Sequence, residues 1–296
     1  MEFNVNEIKH IHGIQYNLNQ PLSVLNNKKC IITGPVKNCA PYLNKVFENI
    51  EKIGSLFEEY EILIYYDKSN DNTLEILKQY QQKNNRLKFY VNLDKVLKYR
   101  THRIAKARNY CLDKIQRDYK DFPYFIMMDF DDVNCKNVNK DVLKKYLNRE
   151  DWDALSFNTS PSYYDIWGLS IKPFCFSYNH FLESVKYYGI IQRYIQNKLN
   201  VLRDGELLPC ISAFNGFAIY RTSKCINCYY DGKIRLDLIP KNFILKHMNV
   251  TNSPIIFKDY GHVDGRYEDC EHRSFHTMMI NKNNGKIRIS KDVIFN

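Results

Sequence analysis

Residues 124–134, YFIMMDFDDVN, decide the fold that we expect for this chain. Five largely apolar residues run directly into three carboxylates, Asp129, Asp131 and Asp132, which surround Phe130. A short apolar run of this kind is typical of a buried strand. Carboxylates beside a hydrophobic strand cost free energy unless a positive charge neutralises them. The stretch therefore predicts a buried strand that ends at a cation-binding site.

Alternating strand and helix patterns precede this stretch. Short apolar runs predict strands at 29–38, 59–69 and 86–92. Apolar residues at helical spacing follow the first run, and a second apolar stripe between 104 and 115 predicts a helix just before the fourth strand. Strands that alternate with helices form parallel sheets with crossover helices. We therefore expect an α/β fold with a Rossmann-like, mostly parallel sheet flanked by helices.

Composition narrows the class of protein. The longest apolar runs stay well short of the roughly 18 residues of a membrane span, and the N-terminus lacks the order of a signal peptide. We therefore expect no membrane span and a cytoplasmic location. The nine cysteines are odd in number and scattered, which fits reduced thiols better than a disulfide framework. The formal charge of +10 suits a polyanionic ligand: nucleic acid, a phosphorylated glycan or a nucleotide diphosphate.

The carboxylate cluster favours a divalent metal site. In open parallel sheets, ligands bind at the carboxyl ends of the strands. Three predicted strand ends carry polar or flexible residues, at Thr33 and Gly34, at Asp67, and at the aspartates. Crowded oxygen ligands suit Mg²⁺ or Mn²⁺, which keep open positions for substrate phosphates. We expect Thr33, Asp67 and Asp131 around one crevice; a solvated acidic turn after a strand is the alternative.

Two stretches around these strand ends carry a resemblance to a known family. In YYDKSNDNTLEIL, Asp67, Ser69, Asp71 and Thr73 follow the pattern Asp-x-Ser-x-Asp-x-Thr. RIAKARN, at 103–109, looks like the family's helix before the metal motif, and DFDD looks like its Asp-x-Asp. In this order the stretches resemble the nucleotide-sugar glycosyltransferases of the GT-A fold. The likeness is to capsular mannosyltransferase-like proteins and to glycosyltransferases of large DNA viruses.

The resemblance implies a metal-dependent transfer of a hexose or N-acetylhexosamine from a nucleotide diphosphate sugar to a hydroxyl group of a glycan or protein-linked glycan. Residues 1–27 would form a lead segment, 28–150 the nucleotide-sugar-binding half, and 151–296 the acceptor-binding and catalytic half of the same domain. SAFNGFAIYRTS resembles a Gly-Gly-x-x-x-Tyr-Arg strand of the family, with Asn215-Gly216 in place of the glycine pair.

The segment YEDCEHRSFH, at 267–276, looks like the family's acidic catalytic segment. On a helix, His272 and His276 share one face, and Glu271 points about a quarter-turn away from His272. One element would then supply His276 to the metal and, if the transfer inverts the anomeric configuration, Glu271 to the acceptor hydroxyl as general base; retention of configuration stays open as well. An acidic, solvated helix start is one alternative. A base drawn from Asp269 is another.

The resemblance assigns the remaining site residues. Asp131 and Asp132 would hold Mn²⁺ or Mg²⁺ together with His276. The partners would be a nucleotide diphosphate sugar and a glycan acceptor, without nucleic acid. The nucleotide-sugar-binding residues would be Thr33, Gly34, Asp67, Arg103, Arg108 and Asp129.

Three other interpretations stay open. A nucleotidyltransferase or other phosphoryl-transfer enzyme also combines carboxylates, a metal and a nucleotide, but normally carries a Gly-rich, Lys-bearing loop near the first strand. A basic nucleic-acid-binding module carries clustered lysines and arginines with interleaved aromatics, and the lysines here are spread along the whole chain. CINC, at 225–228, could hold zinc with Cys270, His272 and His276, but a second cysteine pair at regular spacing is missing.

Overall fold

The computed structural model describes residues 28–94, 97–252, 256 and 268–296. The lead segment expected over 1–27 lies outside these residues. The described chain forms an eight-stranded sheet with helices on both faces. Its strands are β1 (Lys29–Val36), β2 (Glu59–Tyr66), β3 (Leu87–Val91), β4 (Tyr124–Met128), β5 (Ala154–Asn158), β6 (Leu207–Pro209), β7 (Phe217–Arg221) and β8 (Ile287–Val293). Its helices are α1 (Ala40–Gly54), α2 (Thr73–Lys83), α3 (Arg100–Asp118), α4 (Lys140–Lys144), α5 (Ser184–Asn200), α6 (Lys241–Thr251) and α7 (Glu271–Asn283).

The strand order across the sheet is β3-β2-β1-β4-β7-β5-β8-β6. β3, β2, β1 and β4 run parallel, and α1, α2 and α3 connect them. β7 runs antiparallel between β4 and β5. The start of β7 therefore lies at the same edge of the sheet as the ends of β4 and β5. The predicted α/β, mostly parallel sheet flanked by helices is confirmed.

Apolar side chains cover both faces of the sheet because neighbouring residues of a strand point to opposite sides. In β1, Ile32 packs with α1 on one face, and Ile31 packs with α3 and α7 on the other. Trp152 is fully buried on the α1 face. Within the described ranges, the helices are too short or too polar to cross a membrane. The stripe predicted after β1 is buried in full: Leu43, Val46, Phe47, Ile50 and Ile53.

Thr33 and Gly34 lie within β1 and do not line the cleft described below. The hydroxyl of Thr33 is buried and donates to the carbonyl of Leu63 at 2.6 Å. A Cβ atom at Gly34 would lie 2.1 Å from the carbonyl oxygen of Met128 on β4. Both residues thus serve the packing of neighbouring strands. The expectation that they hold the nucleotide is corrected, because residues 35–38, at the end of β1 and just after it, line the cleft instead.

Candidate active site

A cleft of about 1020 Å³ opens at the carboxyl edge of the parallel strands. Its walls come from residues that follow β1, β2 and β4, from the starts of α3 and α7, and from residues 159–169 after β5, which we call the β5 loop. Asp67 and Asp131 line this one cleft, as the alternation of strands and helices predicted. Its charged lining residues are Lys37, Asp67, Arg100, Arg103, Arg108, Asp129, Asp131, Asp132, Lys136, Asp165 and Glu271.

The two aspartates of the Asp-x-Ser-x-Asp-x-Thr motif lie in different places, Asp67 in the cleft and Asp71 at the starts of α1 and α2. Asp67 lines the cleft, accepts a hydrogen bond from Asn92 at 3.1 Å and lies 3.3 Å from Lys37. Burial would raise the pKa of Asp67, but Asn92 and Lys37 outweigh burial and lower it. Asp71 accepts from the backbone N–H and the hydroxyl of Thr73, at 3.1 and 2.6 Å, at the start of α2. Asp71 therefore binds the first residue of α2 and stabilises the start of that helix.

Arg108 of α3 is buried at the centre of the cleft. Its guanidinium donates to Asp129 at 2.9 Å, lies 3.1 Å from Glu271, and stacks with its Cζ 4.4 Å from the ring centre of Phe214. Burial lowers the pKa of Arg108, but the two carboxylates raise it above its ordinary value, so the group stays charged. Arg103 also lines the cleft, and donates to two backbone carbonyls just before α3. Arg108 thus joins the end of β4 to the start of α7.

The residues of DFDD have different surroundings. Asp129 contacts Arg108, whereas Phe130 packs into the core on the α1 face of the sheet. Asp131 lines the cleft, and Asp132 is exposed at its edge. Burial raises the pKa of Asp129 to about 7, with Arg108 opposing the rise and Asp131 adding to it, and burial likewise raises the pKa of Asp131. A bound cation would relieve this crowding of negative charge.

These carboxylates fit a metal ion that is shared with a ligand. In the part of the chain that the structure describes, three or more His, Cys, Asp or Glu side chains do not converge to hold a metal unaided. Divalent ions of this kind are often held by one or two carboxylates together with substrate phosphates. Asp131 and Asp132 meet this requirement because they border an open cleft.

Cys225 of CINC packs in the core against Met279.

His276 lies in the core, with both ring nitrogens engaged. Ser212 donates its hydroxyl to the carbonyl of Gly168 at 2.7 Å, so it accepts from Nδ1 of His276 at 3.1 Å. Nε2 of His276 then accepts from the hydroxyl of Tyr220 at 3.0 Å. The rings of His272 and His276 do share one face of α7, with centres 5.5 Å apart. That face meets β7, so the expectation that His276 reaches the metal is corrected.

The buried histidines predict a loss of stability in acid. Burial lowers the pKa of His276 to about 3 and that of His247 to about 4. An unfolded chain protonates both near pH 6.5. Below that pH the unfolded state binds more protons than the folded state, so stability falls as the pH falls. We expect each histidine to lower the free energy of unfolding by about 1.4 kcal/mol per pH unit down to its folded pKa, measured by urea unfolding.

His276→Gln provides the control for this prediction, because glutamine removes the titrating group and retains hydrogen-bonding atoms. The variant should show a shallower pH dependence than the wild type over the same interval, whatever its stability at neutral pH. If the free energy of unfolding depends on pH equally steeply in both proteins, His276 does not contribute to the loss of stability in acid.

The three acids at the start of α7 are buried, and each has its own environment. Glu268 accepts from the backbone N–H and the hydroxyl of Thr101, at 3.0 and 2.6 Å, and so caps the start of α3. Asp269 accepts from Arg273 at 2.8 Å and lies outside the cleft lining. Glu271 is the one acid of the three that lines the cleft. The alternative of a solvated helix start is therefore wrong, and the geometry disfavours Asp269 as base.

Burial sets the chemistry of Glu271. The residue is 5% exposed, and this burial raises its pKa, while Arg108 and Arg100 lower it in part. A carboxylate with a raised pKa is a better proton acceptor near neutral pH than an ordinary one. Glu271 therefore has the position and the environment of a general base.

Arg273 fixes the main chain of the β5 loop and of the residues just after it. Its buried guanidinium donates to the carbonyls of Trp167, Leu169 and Cys175, at 2.5, 2.8 and 3.0 Å. Asp269 neutralises its charge. The loop is therefore held in place by α7, the same helix that carries the candidate base.

Asn215 fixes the middle of the β5 loop. Asn215 and Gly216 have φ angles of 57° and 81°, and asparagine is one of the few residues that tolerates this left-handed region. Its side chain accepts from the backbone N–H groups of Tyr164 and Asp165, at 3.3 and 3.0 Å. A glycine could not make these contacts, which explains the departure from the glycine pair. The loop places Asp165, which was not among the predicted site residues, in the cleft.

The chain is similar to several solved structures. S. aureus TarS 1-349 is 14% identical with a TM-score of 0.44, and the match covers 90% of this chain and 59% of that one. Its complex with UDP-GlcNAc is 15% identical with a TM-score of 0.44, and the match covers 90% of this chain and 57% of that one. Mannosyltransferase PcManGT from Pyrobaculum calidifontis, in complex with GDP-Man and Mn²⁺, is 13% identical with a TM-score of 0.38. The match covers 93% of this chain and 59% of that one. This chain spans less than two thirds of each.

The sequence itself matches a family. No curated protein matches the chain. The sequence model of glycosyl transferase family 2 matches residues 31–205, which is more than half of the chain and runs from β1 through α5. The matched region contains the aspartates after β4 and the arginines of α3. This chain therefore belongs to glycosyl transferase family 2, and its resemblance to nucleotide-sugar glycosyltransferases of the GT-A fold is confirmed.

Proposed function

We propose that this protein transfers a hexose or an N-acetylhexosamine from a nucleotide diphosphate sugar to a hydroxyl group of a glycan, with Mn²⁺ or Mg²⁺ as cofactor. One observation carries the proposal. A single cleft brings the aspartates after β4, the buried Arg108 and the buried Glu271 together. Family membership favours this reaction over the nucleotidyl-transfer alternative.

The donor would occupy the β1–β2–β4 side of the cleft. Asp67 and residues 35–38 border the part of the cleft that suits the base and ribose. Arg103 and Arg108, with Asp129 beside Arg108, offer positive charge and hydrogen bonds to the diphosphate and the sugar. Asp131 and Asp132 would hold the metal ion, which supplies positive charge against the leaving diphosphate.

The acceptor would approach from the side of Glu271. Glu271 takes the proton of the acceptor hydroxyl while the hydroxyl oxygen bonds to the anomeric carbon. The bond between that carbon and the diphosphate oxygen breaks, and its electron pair leaves with the diphosphate. Because Arg108 lies between Asp129 and Glu271, it separates the leaving-group side from the base side. Attack opposite to the leaving group inverts the anomeric configuration.

Asp131→Asn tests the metal and the donor together. We expect it to weaken binding of Mn²⁺ and of a nucleoside diphosphate by at least roughly tenfold, because a charged ligand of the shared ion is lost. The fold should stay intact, since the side chain borders an open cleft. Titration calorimetry with UDP and GDP, each with and without Mn²⁺, measures both affinities.

Asp113→Asn is the matched control for this variant. It removes an exposed carboxylate of α3 that does not line the cleft, and should leave both affinities unchanged. A chelator added to the wild type should reproduce the effect of Asp131→Asn. Nucleotide binding that resists both the substitution and the chelator would refute the metal-dependent scheme.

A further inference from the structure

Arg100 differs from the other cations that line the cleft. Arg108, Arg103, Lys37 and Lys136 each donate to a carboxylate or a carbonyl. Arg100 is exposed, and among the described residues its guanidinium has neither a hydrogen bond nor an ion pair. A cleft-lining arginine whose donors are available is suited to binding an anion.

Within the described ranges, Arg100 lies against an aromatic ring of the β5 loop. Its Cζ lies 5.9 Å from the ring centre of Trp167, which also lines the cleft. An arginine beside the face of an indole is held in a defined orientation by the cation–π attraction. The two side chains therefore form one surface, which we call the Arg100–Trp167 pair.

The Arg100–Trp167 pair lies on the base side of the cleft. The next residue along the chain, Thr101, donates to Glu268 at 3.0 Å, and Glu268 precedes Glu271 by three residues. The main chain of Trp167 is fixed by α7, the helix that begins at Glu271. Arg100 is also close enough to lower the pKa of Glu271. Both members of the pair are thus tied to the segment that carries the candidate base.

We propose that the Arg100–Trp167 pair is an acceptor subsite for a glycan that bears an anionic group, a carboxylate or a phosphate, close to the accepting hydroxyl. This proposal rests on the proposed function, which places the acceptor beside Glu271. The indole offers an apolar face on which a sugar ring can lie. The guanidinium matches the geometry of a carboxylate or phosphate with two parallel hydrogen bonds. A neutral glycan would use the ring face alone.

Tryptophan fluorescence tests binding without turnover. The chain has two tryptophans, and Trp152 is buried in the core, so a change on adding a glycoside reports on Trp167. The probes are methyl glucoside, methyl glucuronide and methyl glucoside 6-phosphate. We expect at least one anionic probe to bind about tenfold more tightly than the neutral one. The tighter of the two anionic probes identifies carboxylate or phosphate as the group recognised. Trp167→Phe should remove the signal.

Variants of Arg100 test whether its positive charge causes the tighter binding of the anionic probes. Arg100→Gln should abolish the preference for the anionic probe, and Arg100→Lys should keep part of it. Lys114→Gln removes a cation of the same helix that pairs with Asp118 outside the cleft, and should bind all probes as the wild type does. Equal binding of neutral and anionic probes by the wild type, or a preference that survives in Arg100→Gln, overturns the proposal.

Titrating UDP and GDP with Mn²⁺ into the same proteins separates this subsite from the donor site. Unchanged nucleotide binding in Arg100→Gln supports an acceptor role. Weakened nucleotide binding with unchanged glycoside binding makes Arg100 a donor residue and overturns the subsite. If neither nucleotide binds the wild type while the anionic preference persists, the proposed function fails and the anion subsite stands.

Discussion

Glu271→Gln should lower turnover by roughly 100-fold or more, the size expected for the loss of a general base, with nucleoside diphosphate binding nearly unchanged. Glutamine keeps the shape of the side chain and cannot accept the proton. Since burial raises the pKa of Glu271 above its ordinary 4.5, the wild-type rate should fall with decreasing pH at a higher pH than an exposed glutamate would give. Steady-state kcat and kcat/KM across pH, for both proteins, measure the two effects.

Asp165→Asn is the comparison that makes this prediction specific. Asp165 also lines the cleft, and its carboxylate accepts from the backbone N–H groups of Gly168 and Asn215. We expect this variant to retain the acid limb of the pH profile, whatever its KM. Loss of turnover in Asp165→Asn but not in Glu271→Gln would transfer the role of base to Asp165. A product of retained anomeric configuration, seen by NMR, would also count against the proposed displacement.

Asp269→Asn should destabilise the protein by about 3–5 kcal/mol, the cost of leaving a buried charge without its partner. Asp269 and Arg273 are each 2% exposed, and their side chains meet at 2.8 Å. Burial would raise the pKa of Asp269, but Arg273 and His180 hold it below its ordinary value, so the wild-type group is ionised. The free energy of unfolding in urea measures the loss.

Asp118→Asn is the control, because it also removes a carboxylate from an arginine, here Arg117 at the protein surface. An exposed pair contributes no more than about 1 kcal/mol. If both substitutions have similar small effects, the Asp269–Arg273 pair does not carry the stability assigned to it.

The first half of the sheet could be predicted because each element there has its own periodic pattern. The apolar run at 124–128 is buried at every position, and the helical stripe before it packs on the sheet as expected. β8 and β6 were not predicted. β8 lies beside β5, which is more than 130 residues earlier, and the backbone N–H of Lys286 donates to Asp153 across 133 residues. A local pattern contains no information about such a distant partner.

The residues of the candidate site were also predictable only where a local pattern identifies them. Asp67, Arg108, Asp131 and Glu271 could be located at the cleft because they stand at strand ends or in recognisable motifs. His276 could not, because spacing along a helix defines which side chains share a face but not what that face meets. No sequence pattern identifies Arg273 or Asp165. Arg273 acts through a loop, and Asp165 through a turn, that lie far away in the chain.

The dependence of the β5 loop on Arg273 has a consequence for protein synthesis. Arg273 follows Leu169, whose carbonyl it binds, by 104 residues, which a ribosome adds in roughly 5–20 s. The parallel strands can pair on the ribosome during this time, but the base and the loop anchor do not yet exist. The cleft can therefore be completed only after residues 271–273 have been added to the chain. A premature stop codon ahead of residue 271 would remove the candidate base, the loop anchor and the part of the core that α7 contributes.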